Sequence, residues 1–342
     1  MVAAHWSELD DEKLLAIRVC DLELRIEGTE LEARVEKLFV EMDSQGLHRF
    51  RPRIYLGDEW FSPDGVPSIS IPFFLAHPRL KALEKKFMLE AEGGTEEWCL
   101  KLLRHECGHS FDHAYRLSRK RRWRELFGPP SGEYDPDTYH PRPYSRSYVI
   151  HLDNWYSQAH PSEDFAETFA VWLNPASNWS TRYARWAGAL EKLNYVERLA
   201  RQYGDRMPDV TRGPHTYPAS RMKITLERFY KRKIRQNRAQ YPDFFDADLK
   251  SIFDGEPQLP RKDFGAAGFL RRNRSMIVPT VSRWTGEKKY AIHSLVRKLT
   301  TRCEQINLRL GKTESQTNLE VAAYLATLVM NYLFTGRFKR TV

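Results

Sequence analysis

The sequence predicts an α+β fold, with a small twisted sheet near its start, a helical half after it and a basic, mainly helical extension at its end. Three observations lead there. The clear strand-like segments lie over residues 53–74, apolar residues recur at helical spacing through much of the remainder, and charge is unevenly divided. Lys and Arg less Asp and Glu leave −5 over residues 1–212 and +14 over residues 213–342, within a total of +9. That asymmetry predicts one domain over 1–212 and an extension over 213–342, packed on it or tethered to it. At 342 residues with 41% hydrophobic content, the chain can bury one large core or two moderate ones.

Compartment is read from what the residues permit. The first eight residues carry neither a basic run nor an apolar one, so no signal peptide is expected. The longest nearly apolar stretch, Val321 to Phe334, is interrupted by Asn331 and falls short of the ~20 residues a bilayer requires. Cys20, Cys99, Cys107 and Cys303 are widely spaced, which suits reduced thiols in a cytoplasmic protein.

In chain order, residues 12–26 suggest a helix or strand on the core. Thr29 to Asp43 reads as a helix: Leu31, Val35, Leu38 and Phe39 share a face, Thr29 is a candidate N-cap and Gly46 follows the end. Arg53 to Gly57 reads as a strand, Pro63-Asp64-Gly65 as a turn, and Ser68 to Phe74 as a second strand, placed at an edge by Pro72. Such an edge could take an extended peptide by strand addition, or simply be protected by its proline. His77 to Ala91 reads as a helix broken by Gly93-Gly94. The next helix starts at Thr95, with acidic Glu96 and Glu97 in its first turn, and runs through Tyr115. Basic residues from Arg119 to Arg124 then read as a solvated terminus of that helix.

This helix carries His105-Glu106-Cys107-Gly108-His109, the pattern H-E-x-x-H. At ~100° per residue, positions four apart lie on one face, so both imidazoles aim at one point. Two nitrogen ligands of zinc need that geometry, at ~2.0–2.1 Å each. Glu106 lies one step round, where its carboxylate can take a proton from a water activated by the metal. Cys107 points off the ligand face and reads as core. Gly108 costs ~1 kcal/mol of helix propensity relative to alanine, which suggests a crowded neighbour. Asp112 could orient a ligand, but pairing with Arg116 is the simpler reading. The competing reading of the whole motif is an amphipathic helix with two half-buried histidines and a solvated glutamate.

A catalytic zinc needs a third protein ligand. After a Pro-, Gly-, Ser- and Tyr-rich loop over 128–148, which would shape a cleft, Pro161 to Leu173 reads as a helix with Phe165, Phe169 and Trp172 as its buried stripe. Glu163 and Glu167 share another face, and Ala166 and Ala170 allow close packing. One carboxylate can bind the metal while the other fixes the tautomer of a ligand histidine. Glu163, nearer the loop end, is assigned to the metal and Glu167 to the outer position; the reverse assignment stays open.

The two segments, His105-Glu106-Cys107-Gly108-His109 and Glu163-Asp164-Phe165-Ala166-Glu167-Thr168-Phe169-Ala170, resemble those of gluzincin metallopeptidases. The chain is similar to a family of bacterial zinc-binding metallopeptidases widely over residues 1–210 and weakly beyond, and more distantly to the catalytic domain of lethal-factor-type toxins over the two helices and the loop before the second. The resemblance implies a gluzincin-like zincin core holding Zn²⁺ and acting on peptide bonds. In the toxin domain the first glutamate of the second helix is the ligand, which agrees with Glu163. There a tyrosine seven residues earlier steadies the oxyanion, and the matching position here is Tyr156. A phenol suits that task, although Tyr144, Tyr148 and His160 lie in the same region.

The last third reads as a basic helix over Ile224 to Gln240, ended by Tyr241-Pro242-Asp243, with further basic groups at Arg271-Arg272-Asn273-Arg274 and Lys288-Lys289. Helices over Ala291 to Cys303 and Leu319 to Tyr332 follow. Basic stripes can contact nucleic acid or an acidic protein, or be plain solvated faces. The expected activity is therefore a zinc peptidase with a peptide or protein substrate and no membrane partner. The alternative is a binding module for nucleic acid or an acidic partner, with its metal structural or regulatory.

Overall fold

The computed structural model describes residues 6–131, 139, 141–236, 246–253 and 265–335. Its contacts divide the chain into two compact units, Met1–Lys231 and Arg232–Val342. The first therefore reaches past residue 212, because Leu226, Phe229 and Tyr230 are buried in its core and Phe229 stacks edge-on to Phe73 at 4.9 Å. Charge marks where lysine and arginine accumulate. Burial marks where the chain stops packing.

In the first unit a short helix α1 (Asp11–Leu15) precedes α2 (Glu30–Ser44), which the Thr29 hydroxyl caps by accepting from the Leu31 N–H. Strands β1 (Arg53–Gly57) and β2 (Ser68–Pro72) pair in parallel, Arg53 opposite Ser68 through Gly57 opposite Pro72. Phe73 and Phe74 turn into a 3-10 segment, so β2 stops two residues short of the expected end. Nor is its outer edge open. The connection doubles back so that Phe61 bridges Ser70 antiparallel, its carbonyl accepting from the Ser70 N–H at 2.8 Å, and the Ser62 hydroxyl donates to the Ser68 carbonyl at 2.9 Å. All five residues of β2 are buried. A strand so covered has no free ladder there for an added peptide.

Helix α3 (Pro78–Met88) is capped by His77 and ends at Leu89 with φ 67°. Helix α4 (Glu96–Tyr115) begins where expected, the Thr95 hydroxyl accepting from the Trp98 N–H, and ends at Arg116 with φ 51°. That left-handed residue breaks the helix, so the basic run forms a separate helix α5 (Arg121–Phe127) rather than a continuation. It also corrects the Asp112–Arg116 pairing: Asp112 Oδ1 instead accepts from the Ser118 N–H at 2.6 Å, tying down the turn that follows.

Helix α6 (Pro161–Leu173) has Pro161 in its first turn, where its missing N–H costs nothing, and the His160 ring accepts from the Ser162 N–H. A short α7 (Trp179–Arg182) and α8 (Ala187–Tyr203) complete the packing round it. Close approach of α4 and α6 is set by Gly108: a Cβ there would lie 2.8 Å from the Ala166 Cα and 3.1 Å from the Phe169 Cβ. Helix α9 (Leu226–Gln236) follows; the expected end at Tyr241-Pro242-Asp243 lies outside the described residues.

The second unit is helical, with α10 (Asp246–Phe253), α11 (Ala266–Thr285), α12 (Lys289–Gln305) and α13 (Glu314–Thr335) around their own apolar core of Phe269, Ile292, Leu299, Val321 and Leu325. Arg271 and Arg272 of its basic run pair with Glu304 and Glu314. No helix among the described residues is long and apolar enough to cross a membrane.

Candidate metal centre

From Glu163 to its end, α6 is buried on every side, and that raises an electrostatic problem. It carries Glu163, Asp164 and Glu167 into the core, where an unpartnered carboxylate would cost several kcal/mol. Each is answered differently. Asp164 Oδ2 pairs with the Lys192 ammonium of α8 at 2.5 Å, and that ammonium also donates to the Ser147 carbonyl at 2.8 Å. Burial still pushes the Asp164 carboxyl up to about 7, with Lys192 working against it. Glu167 Oε1 lies 2.7 Å from His105 Nδ1, and its Oε2 accepts from the Leu152 N–H at 2.8 Å.

Glu163 faces two imidazoles. Its Oε2 lies 3.0 Å from His105 Nε2 and 3.2 Å from His109 Nε2, and the two ring nitrogens are 3.2 Å apart. A tetrahedral ion bonded at 2.0–2.1 Å has ligands about 3.3 Å apart, so this near-equilateral triangle has the dimensions of one face of such a polyhedron. Burial by itself would raise the Glu163 carboxyl, but His109 and His105 outweigh it and hold it well below the usual carboxylate range. For His105, burial works downward, and Glu163 and Glu167 overturn it and raise the ring; His109 is raised against burial by Glu163. Three donors that hold one another's charge in a dry site are suited to a divalent cation. Histidine nitrogens with a carboxylate oxygen are the donor set of zinc. His105, His109 and Glu163 are thus a candidate zinc site.

Glu106 sits beside this triangle, 6% exposed, with its Oε2 buried and given no hydrogen-bond partner. Burial raises its carboxyl above the usual range, and the two histidines offset part of that rise. Cys107 is turned the other way, its sulfur 3.7 Å from Met42 in the core. The Tyr156 ring lies 5.8 Å from the His105 ring, on a 3-10 segment over Asp153–Gln158. The other aromatic candidates are engaged elsewhere. Tyr144 is 73% exposed against Trp155, Tyr148 carries the Lys192 ammonium 4.2 Å over its ring, and His160 caps α6.

Sequence reasoning missed His151. Its Nε2 lies 2.9 Å from the Lys101 carbonyl of α4, and burial pulls the ring down to about 4. It is sixteen residues before Glu167 and inside an irregular loop, so no periodicity announces it. Lys192 was equally silent, since its partner Asp164 is brought to it only by the packing of α8 on α6.

No curated protein and no solved structure matches the chain. Residues 99–208, a span that runs from α4 through α8 and contains every residue of the site, match the model of the family described as "Putative zinc-binding metallo-peptidase".

Proposed function

We propose that this protein is a gluzincin-type zinc peptidase in which His105, His109 and Glu163 hold the metal and Glu106 is the general base. The observation that carries this reading is the triangle of donors with an unpaired, buried Glu106 oxygen beside it. When bound by these three residues, zinc would supply Lewis acidity and acidify the attacking water. The protein's own groups do the rest. Glu106, its basicity raised by burial, takes the proton of the attacking water and hands it to the leaving amine. Glu167 accepts the Nδ1–H of His105, which leaves Nε2 free as a ligand. Tyr156 donates its phenol to the oxygen on which charge develops.

A closed structural site is less well served, because the grouping found among the described residues has three donors and structural zinc takes four. The substrate is a peptide or protein. The cysteines, none cross-linked, suit a reducing cytoplasm. The chemistry lies in the first unit, Met1–Lys231, and the basic residues of the second unit are a surface for an acidic partner. Glu106→Gln keeps shape and removes the base. It is expected to retain zinc, by elemental analysis, while cleavage of a mixed peptide library falls 10²–10⁴-fold. Undiminished cleavage by that variant would reject the assignment.

A further inference from the structure

The segment bearing Tyr156 is fastened one residue at a time. His151 Nε2 meets the Lys101 carbonyl at 2.9 Å, the Leu152 N–H meets Glu167 Oε2 at 2.8 Å, and Asp153 Oδ1 lies 3.9 Å from the Lys101 ammonium. A carbonyl can only accept, so His151 Nε2 carries the hydrogen. Lys101 is one helical turn before His105, and Glu167 is the partner of His105, so all three fastenings land on the framework of the metal site.

The next two residues are strained. Asn154 and Trp155 have φ of 59° and 52°, and two successive left-handed residues other than glycine persist only where the surroundings impose them. The Tyr139 hydroxyl donates to the Asn154 carbonyl at 2.7 Å, and downstream the Ser157 hydroxyl donates to the Val149 carbonyl at 2.9 Å, closing the loop on itself. This double left-handed step turns the chain, and Tyr156 comes out of it with its ring 5.8 Å from that of His105.

We propose that His151 is a positioning residue: by bonding its Nε2–H to the Lys101 carbonyl it locks the strained turn that holds Tyr156 against the metal site. Burial pulls the ring down to about 4, which favours the neutral Nε2–H tautomer, and that tautomer has the donor this carbonyl needs. Asp153 is exposed and its link to Lys101 is long, so the His151 bond is the stronger of the two ties to α4. The proposal rests on the peptidase reading for its kinetic readout, and a second readout is independent of it.

The kinetic test compares the full-length, zinc-loaded wild type with His151→Ala, His151→Gln, Tyr156→Phe and the double variant His151→Ala/Tyr156→Phe on one fluorogenic peptide. The alanine variant is expected to lose about tenfold in kcat, below the ~10²–10³-fold that losing the oxyanion donor outright costs, with KM and zinc content unchanged. Glutamine, whose amide N–H can reach the same carbonyl, should restore most of the loss. In the Tyr156→Phe background the alanine change should cost less than about twofold, because its effect passes through Tyr156. An undiminished loss in that background, or zinc falling in step with kcat, would overturn the proposal. The independent readout places 3-fluorotyrosine at 156 and follows its ¹⁹F resonance in the same zinc-loaded chains. His151→Ala should move or broaden that resonance and His151→Gln should return it. A resonance indifferent to both changes defeats the positioning role even if no peptide is ever cleaved, whereas a responsive resonance without cleavage defeats only the peptidase reading.

Discussion

Within a few ångströms of one another, His105, His109, Glu163 and Glu167 do what none could do alone in a dry interior. Each buried carboxylate is held ionised by an imidazole, and each imidazole is held ready by a carboxylate. His113, one turn further along α4, has weaker help, and burial outweighs it. Its Nδ1 has no hydrogen-bond partner, Asp64 lies 4.0 Å from its Nε2, and burial draws the ring down to about 4 from 6.5. The unfolded chain therefore binds this proton more readily than the folded one. Stability from His113 is present above pH 6.5 and is lost as pH falls towards 4, with roughly 2 kcal/mol disappearing between pH 7.5 and 5.0. Urea midpoints in the presence of a chelator should thus fall further on acidification for the wild type than for His113→Gln. Parallel declines would contradict the assignment.

Among the elements, α4 and α6 decide whether a site exists. Their contact runs through Gly108, whose missing side chain lets Ala166 and Phe169 approach. In Gly108→Ala the helix gains up to ~1 kcal/mol in propensity, but the new methyl meets backbone atoms that no rotamer change can move. A net loss of about 1–2 kcal/mol is expected, together with weaker zinc affinity as the helices part. Calorimetry and metal titration on the same variant check both, and a stabilised protein with unchanged affinity would show the contact to be slack. The crowding round Gly108 was legible in the sequence, as were the starts of α2, α4 and α6, because caps, acidic first turns and a first-turn proline are local signals. Elements fixed by tertiary contacts were not. The left-handed Arg116 that splits α4 from α5, the cover that Phe61 and Ser62 lay over β2, and the loop in which His151 reaches Lys101 all depend on residues distant in sequence or on unforced backbone choices.

At the scale of the whole chain, the described residues form two apolar cores, one from Leu14 to Tyr230 and one from Leu249 to Val329. Only the first encloses the donor triangle. A ligand that binds one folded unit stabilises that unit by mass action, so removing zinc should lower the melting transition of the first and leave the second where it was. Scanning calorimetry with and without chelator checks this, and equal shifts in every transition would mean the units melt as one. The most direct test of the account is to locate the ion itself, by anomalous diffraction at the zinc edge from crystals of the zinc-loaded protein. The account predicts a peak within about 2.0–2.2 Å of His105 Nε2, His109 Nε2 and a Glu163 oxygen. A peak elsewhere in the chain, or one bonded to Glu167 with Glu163 turned away, would contradict it.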